Sequence, residues 1–190
     1  MAQVLVHCWR EWETDLSSHK LICVRKMRES DLEKVLLWRN HLDVRKCMLS
    51  QHEITLAEHR TWFERSAEDP TRALLVVEED GLIIGCVVFT NVSCAGTADW
   101  SFYADPDSQA GTGQKVCDAA LDFAFRELNI HKVAGQVLDF NEASIRTHLR
   151  LGFTHEGVLR EHHLINGKYL GVINFGLLSF EWRERNRPTN

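Results

Sequence analysis

From residue 20 onward the apolar positions fall into runs of two distinct periods. Residues 21–27 read as a strand. Ser30 with Glu33 three residues later has the reciprocal spacing that opens a helix, inside which Leu32, Val35, Leu36 and Trp38 recur at helical intervals. A second helix is expected over 55–67, with Thr55 and Glu58 as its cap. Asp69-Pro70 ends it, because the residue before a proline is pushed out of the α conformation. Sheet follows. Residues 73–78, 82–89 and 98–103 are rich in β-branched and aromatic side chains, and Glu79-Asp80-Gly81 joins the first two as a hairpin. After Gly111-Thr112-Gly113 a helix buries a broad stripe, with Val116, Ala120 and Phe123 on one line and Cys117, Leu121, Ala124 and Leu128 beside it. Residues 132–138 are a strand, 141–151 a short helix stopped by Gly152, and 153–165 and 168–182 two extended segments joined at Asn166-Gly167.

The order β-α-α-β-β-β-α-β-α-β-β predicts an α/β (α+β) fold, a single domain with a mixed central sheet and helices on both faces. Its expected bounds are 20–183. Residues 1–19, with Trp9, Glu11, Trp12, Glu13 and Asp15, keep neither period and read as an extension, a lid or a dimer contact, and 184–190 as a tail.

Composition narrows the function classes. A chain of 190 residues with 44% apolar and 26% charged positions is one ordered domain. The 22 basic against 27 acidic residues leave a net charge of -5, which excludes a broad electrostatic grip on nucleic acid. The 6 cysteines form no CxxC pair and read as reduced thiols of a cytoplasmic protein, and the 10 histidines show no zinc spacing, so no metal is expected. His162 and His163 are adjacent and would point to opposite faces of a strand. No apolar run nears the roughly 20 residues of a membrane span, and the opening Met1 to Val6 lacks a signal peptide's basic flank, so no membrane partner is expected.

Three places carry candidate chemistry. Ser108 to Lys115 is a loop between strand and helix in which Gly111 and Gly113 would let a ligand approach the free N–H groups of the helix start. A phosphate is the natural guest, although a plain glycine-bearing connector has the same spacing. Asn141, Ser144 and His148 would line one stripe of a capped helix, with His148 either in a groove or a bystander. Arg39, Asn40 and the stretch from His59 to Phe63, including Trp62, combine guanidinium and indole as a phosphate and ring reader would, or as an ordinary amphipathic helix would.

Together, the element order, the glycine loop and Asn141-x-x-Ser144 ending in Leu151-Gly152-Phe153 resemble the GCN5-related N-acetyltransferase superfamily over 21–182. The segments 35–40, 44–48, 52–54 and 58–63 resemble its pseudaminic acid biosynthesis branch. The resemblance implies a sheet splayed in the middle, between 98–103 and 132–138, with acetyl-CoA as co-substrate in the gap. Its pyrophosphate would lie on Gln109, Ala110, Gly111, Thr112, Gly113 and Gln114, its pantetheine along Phe102, Tyr103 and Ala104, with Asn141 and Ser144 further on. Two departures stand out: Ser108 where the superfamily carries Arg or Gln, and His148 where it carries the tyrosine taken as proton donor. Imidazole could fill that role. Ser101 is the candidate for a base relay by similarity to the branch, with Asp99 and Glu78 as alternatives, and Arg39, Asn40 and Trp62 are the candidates for the acceptor side.

The expected reaction is acetylation of the 4-amino group of a UDP-4-amino-4,6-dideoxy sugar by direct attack in a ternary complex. That sugar, UDP-4-amino-4,6-dideoxy-N-acetyl-β-L-altrosamine, belongs to the route to flagellin glycosylation. A nucleotide sugar is then the small-molecule partner, and a homodimer is allowed for. The rivals are a ribosomal-protein or peptide N-terminal acetyltransferase and a catalytically silent acyl-CoA-binding module.

Overall fold

The computed structural model describes residues 21–187; the expected N-terminal extension and residues 188–190 lie outside them. β1 (Ile22–Lys26) runs through a 3₁₀ turn, Glu29–Asp31, into α1 (Leu32–Asn40). That opening corrects the expected Ser30 and Glu33 cap. The Asp31 carboxylate accepts the Arg28 amide at 2.7 Å and two Arg25 guanidinium bonds at 2.6 and 3.0 Å. A carboxylate among charged donors is a stronger acceptor than a serine hydroxyl. The next helix, α2 (Leu42–Arg45), has only 4 residues, too few to show a period.

α3 (Leu56–Glu68) opens as the sequence predicts, with Thr55 Oγ1 accepting the Glu58 amide at 3.2 Å and Glu58 Oε2 accepting the Thr55 amide at 2.7 Å. β2 (Ala73–Glu79), β3 (Leu82–Thr90) and β4 (Thr97–Ala104) form a meander, whose first turn has positive φ at both Asp80 and Gly81. There follow α4 (Thr112–Arg126), β5 (Lys132–Leu138), α5 (Glu142–Leu151), β6 (Thr154–Ile165) and β7 (Lys168–Leu178). The extended segment expected to run to 182 stops at Leu178, where the chain turns into α6 (Ser179–Arg185), across the expected boundary between domain and tail. Buried Trp182 anchors that helix by donating its indole N–H to Asp122 at 2.7 Å.

Among the described residues the sheet has 7 strands in the order β1-β2-β3-β4-β5-β7-β6, with helices on both faces, the architecture the sequence predicts. Alternation along β2 sorts the two cores: Leu75 and Val77 pack with α4, and Leu74 and Val76 face the side of α1 and α3. Every neighbouring pair of described strands is antiparallel except β4 and β5. Their parallel ladder joins only Thr97–Trp100 to Lys132–Gly135. Beyond it Ser101 to Ala104 stay paired to β3, and Gln136 to Leu138 to β7. The sheet therefore forks at Trp100 and Gly135. At its far edge β6 is exposed along most of its length and twice loses register with β7, between His155 and Gly157 and between Leu159 and His163.

Candidate active site

The glycine loop sits at the start of α4. Gly111 is its N-cap, with φ of 95°, a left-handed conformation that a residue bearing Cβ adopts only with strain. A Cβ built at Gly111 or Gly113 would meet nothing within 4 Å, so there is open space beside both glycines at the helix start. Gly113 and Gln114 lie in the first turn, where no intrahelical carbonyl precedes them. Two expectations need narrowing. The Thr112 amide closes the loop onto the Gln109 carbonyl at 3.1 Å, with the Thr112 hydroxyl on that same oxygen at 2.8 Å, so it is not a free donor. The Gln114 side chain turns along the helix to Asp118, at 3.1 and 3.2 Å, leaving only its backbone toward the loop. Ser108 donates its hydroxyl to Asp105 O at 2.6 Å and closes the preceding turn.

The second element of the site is the fork. On the α5 face, Asn141 Oδ1 accepts the Ser144 amide at 3.1 Å, and His148 follows on the same stripe, as the spacing predicts. His148 is 2% exposed. Its Nδ1 lies 2.8 Å from Ser144 O, an acceptor only, so Nδ1 carries the proton; Nε2 then accepts the Trp100 indole N–H at 3.2 Å. The Ser144 hydroxyl lies 3.4 Å from the same Nδ1. Burial holds the imidazole below its ordinary pKa, that is, neutral. In this arrangement the one N–H of His148 faces a carbonyl and its other nitrogen accepts, a geometry that bears on the proton-donor role expected of it.

On the opposite face, side chains at the fork are polar and exposed. Ser101 on β4 and Gln136 on β5 are each one residue past the last parallel pair, and Gln136 Nε2 donates to Asn174 Oδ1 on β7 at 3.0 Å. Gln136 and Asn174 were not among the expected site residues. The signal was present: Gln136 is the one polar side chain inside the otherwise apolar interior of 133–138. Tyr103 also points to this face, where its hydroxyl meets the thiol of Cys86; burial raises both, Cys86 to about 12.

The three residues expected on the acceptor side are not brought together. Both amide atoms of Asn40 are taken by the backbone of Ile54, at 2.7 and 2.9 Å, which makes it a brace for the 41–54 segment. Trp62 stacks on buried His59 with centroids 5.1 Å apart and lines a cleft of about 700 Å³ on α3, with Arg65 and Arg72. No residue of the fork or glycine loop lines that cleft. Arg39 differs. Its Nη2 donates to Ser50 O at 2.6 Å, and its Nη1 is buried without a hydrogen-bond partner among the described residues.

Residues 22–154 match the family described as an acetyltransferase (GNAT) domain. Acetyltransferase PseH of Campylobacter jejuni is 24% identical over 135 residues, which span 71% of this chain and 84% of that protein. Spermidine N(1)-acetyltransferase of Escherichia coli is 25% identical over 168 residues, 87% of this chain and 90% of that one. The crystal structure of spermidine N-acetyltransferase from Vibrio cholerae in complex with CoA and spermine has a TM-score of 0.79 at 23% identity, covering 85% of this chain and 97% of that one, a likeness of fold.

Proposed function

The chain belongs to the acetyltransferase (GNAT) family, an N-acetyltransferase with acetyl-CoA as co-substrate, and we propose that its acceptor is an amine on an anionic carrier, a UDP-4-amino-4,6-dideoxy sugar. The pyrophosphate of the donor is assigned to the amides at Gly113 and Gln114 and the open space beside Gly111. Its pantetheine arm is assigned to the edge of β4 from Phe102 to Ala104 that β5 leaves unpaired. The amine then arrives from the face of Ser101, Gln136 and Asn174 and attacks the thioester carbonyl in its neutral form. Ser101 is assigned to the relay that removes its proton.

One observation carries the choice of acceptor: the buried Nη1 of Arg39, which has no hydrogen-bond partner among the described residues. A fixed guanidinium with a spare donor attracts a diphosphate and repels a polycation. Ser101, Gln136 and Asn174 offer neutral hydrogen-bonding groups at the fork, and Asp99 brings a carboxylate to the same face of β4 two residues before Ser101. A polyamine acceptor stays the second reading because the spermidine acetyltransferase likeness covers 87% of this chain. A cytoplasmic setting is part of the proposal; the free thiols of Cys23, Cys47, Cys86, Cys94 and Cys117 suit a reducing compartment.

Release of CoA thiol, measured with the UDP-amino sugar, spermidine and an N-terminal peptide, tests the choice. The UDP-amino sugar should show the highest kcat/KM, and Arg39→Gln should raise its KM about tenfold, the scale of one charge-assisted hydrogen bond. Preferred turnover of spermidine or peptide, unaffected by Arg39→Gln, would overturn it.

A further inference from the structure

His148 stands where the two strands part. The last parallel pair is Trp100 with Gly135, and the imidazole fills the space against both. A Cβ at Gly135 would lie 2.6 Å from His148 Nε2 and 2.8 Å from Trp100 Nε1, so the absence of a side chain there is what admits the ring. Around it, Phe175 stacks at 4.9 Å with an 18° tilt, Phe153 meets it edge-on at 4.9 Å, and Phe102 lies 5.7 Å away. These rings come from β4, β7 and the start of the β6 segment, and among the described residues no charged group pairs with the imidazole. One ring thus ties the α5 backbone, through Ser144 O, to β4, through Trp100, on the line where β5 diverges.

We propose that His148 is a positioning strut that sets the opening of the fork, and that the leaving CoA thiolate takes its proton from water and not from this imidazole. The proposal rests on the reading that acetyl-CoA enters the fork. In that step the acceptor nitrogen bonds to the carbonyl carbon, the C–S bond breaks, sulfur departs with the electron pair, and the ammonium proton passes to solvent through the relay. A thiolate is a weak enough base, compared with an alkoxide or amide anion, to depart unprotonated at neutral pH.

Two measurements on the full chain test this. Long-range ¹H–¹⁵N spectra of His148 between pH 6 and 8, free and with CoA, should show Nδ1 protonated and Nε2 bare throughout; a proton on Nε2 in the CoA complex overturns the strut. His148→Gln keeps an acceptor for the Trp100 N–H and should hold the acetyl-CoA dissociation constant within about threefold. His148→Phe fills the space without accepting and should weaken binding about tenfold. Both variants should keep the wild-type shape of kcat against pH. Loss of an alkaline limb in both variants, with acetyl-CoA affinity intact, identifies the imidazole as the proton donor and overturns the proposal. Calorimetric titration of the wild-type chain separates the two readings. Failure to bind acetyl-CoA sinks the assignment of the fork to that co-substrate, whereas a protonated Nε2 with binding intact sinks the strut alone.

Discussion

Two buried imidazoles give this protein an acid sensitivity distinct from that of its carboxylates. His59 and His148 are 4% and 2% exposed, and burial lowers the pKa of each below its unfolded value, about 6.5. Between the folded and unfolded values the unfolded chain binds more protons, so stability is complete above about pH 6.5 and declines as pH falls below it. Thermal unfolding followed from pH 7.5 to 5 should show the melting temperature dropping, with a shallower slope in a His59→Gln, His148→Gln double variant. An unchanged melting temperature across that range would contradict the assignment. The sequence placed His148 on the stripe with Asn141 and Ser144 but said nothing of its protonation, because the partner that fixes it, Trp100, is 48 positions away. Asn40 misled for a related reason: its amide serves Ile54, 14 positions on, and a composition of Arg, Asn and Trp does not reveal which polar atoms are already spent.

At the level of elements, local chemistry was legible wherever a signal lay within a few residues. The Thr55 and Glu58 cap, the Asn141 cap and the Asn166-Gly167 turn, with φ of 50° and 78°, all follow from side chains that satisfy neighbouring backbone. Ser30 failed as a cap because Arg25 on β1 supplies Asp31 with stronger donors. α6 was read as strand because its buried position Trp182 is fixed by Asp122 on α4, not by any period of its own. The start of α4 yields a test that separates folding from binding. Gly113 has unstrained φ and open space around it, so Gly113→Ala should stabilise the helix by about 0.5–1 kcal/mol. If a phosphate occupies that space, the added methyl should also weaken acetyl-CoA severalfold. Differential scanning calorimetry and isothermal titration read the two effects independently, and a stabilised variant with unchanged affinity would move the pyrophosphate elsewhere.

For the whole molecule, element order revealed a mixed sheet, while the position of the fork did not follow from pattern alone. Apolar alternation continues through β4 and β5 whether or not they pair, and the ladder ends at Trp100 and Gly135, where rings from four separate segments gather. Hydrogen exchange should find Ser101 to Ala104 and Gln136 to Leu138 slowed when acetyl-CoA is added, while β2 stays as it was. Equal protection everywhere, or none, would argue against the cofactor lying in the gap. The opposite border of the sheet has a different bearing. With its ladder broken at Gly157 and again before His163, and with Glu156, Arg160 and Glu161 along it, β6 is a poor template for a foreign strand. Strand-to-strand joining of two copies, and with it the continuous intermolecular sheets that seed aggregation, is thus disfavoured at that rim.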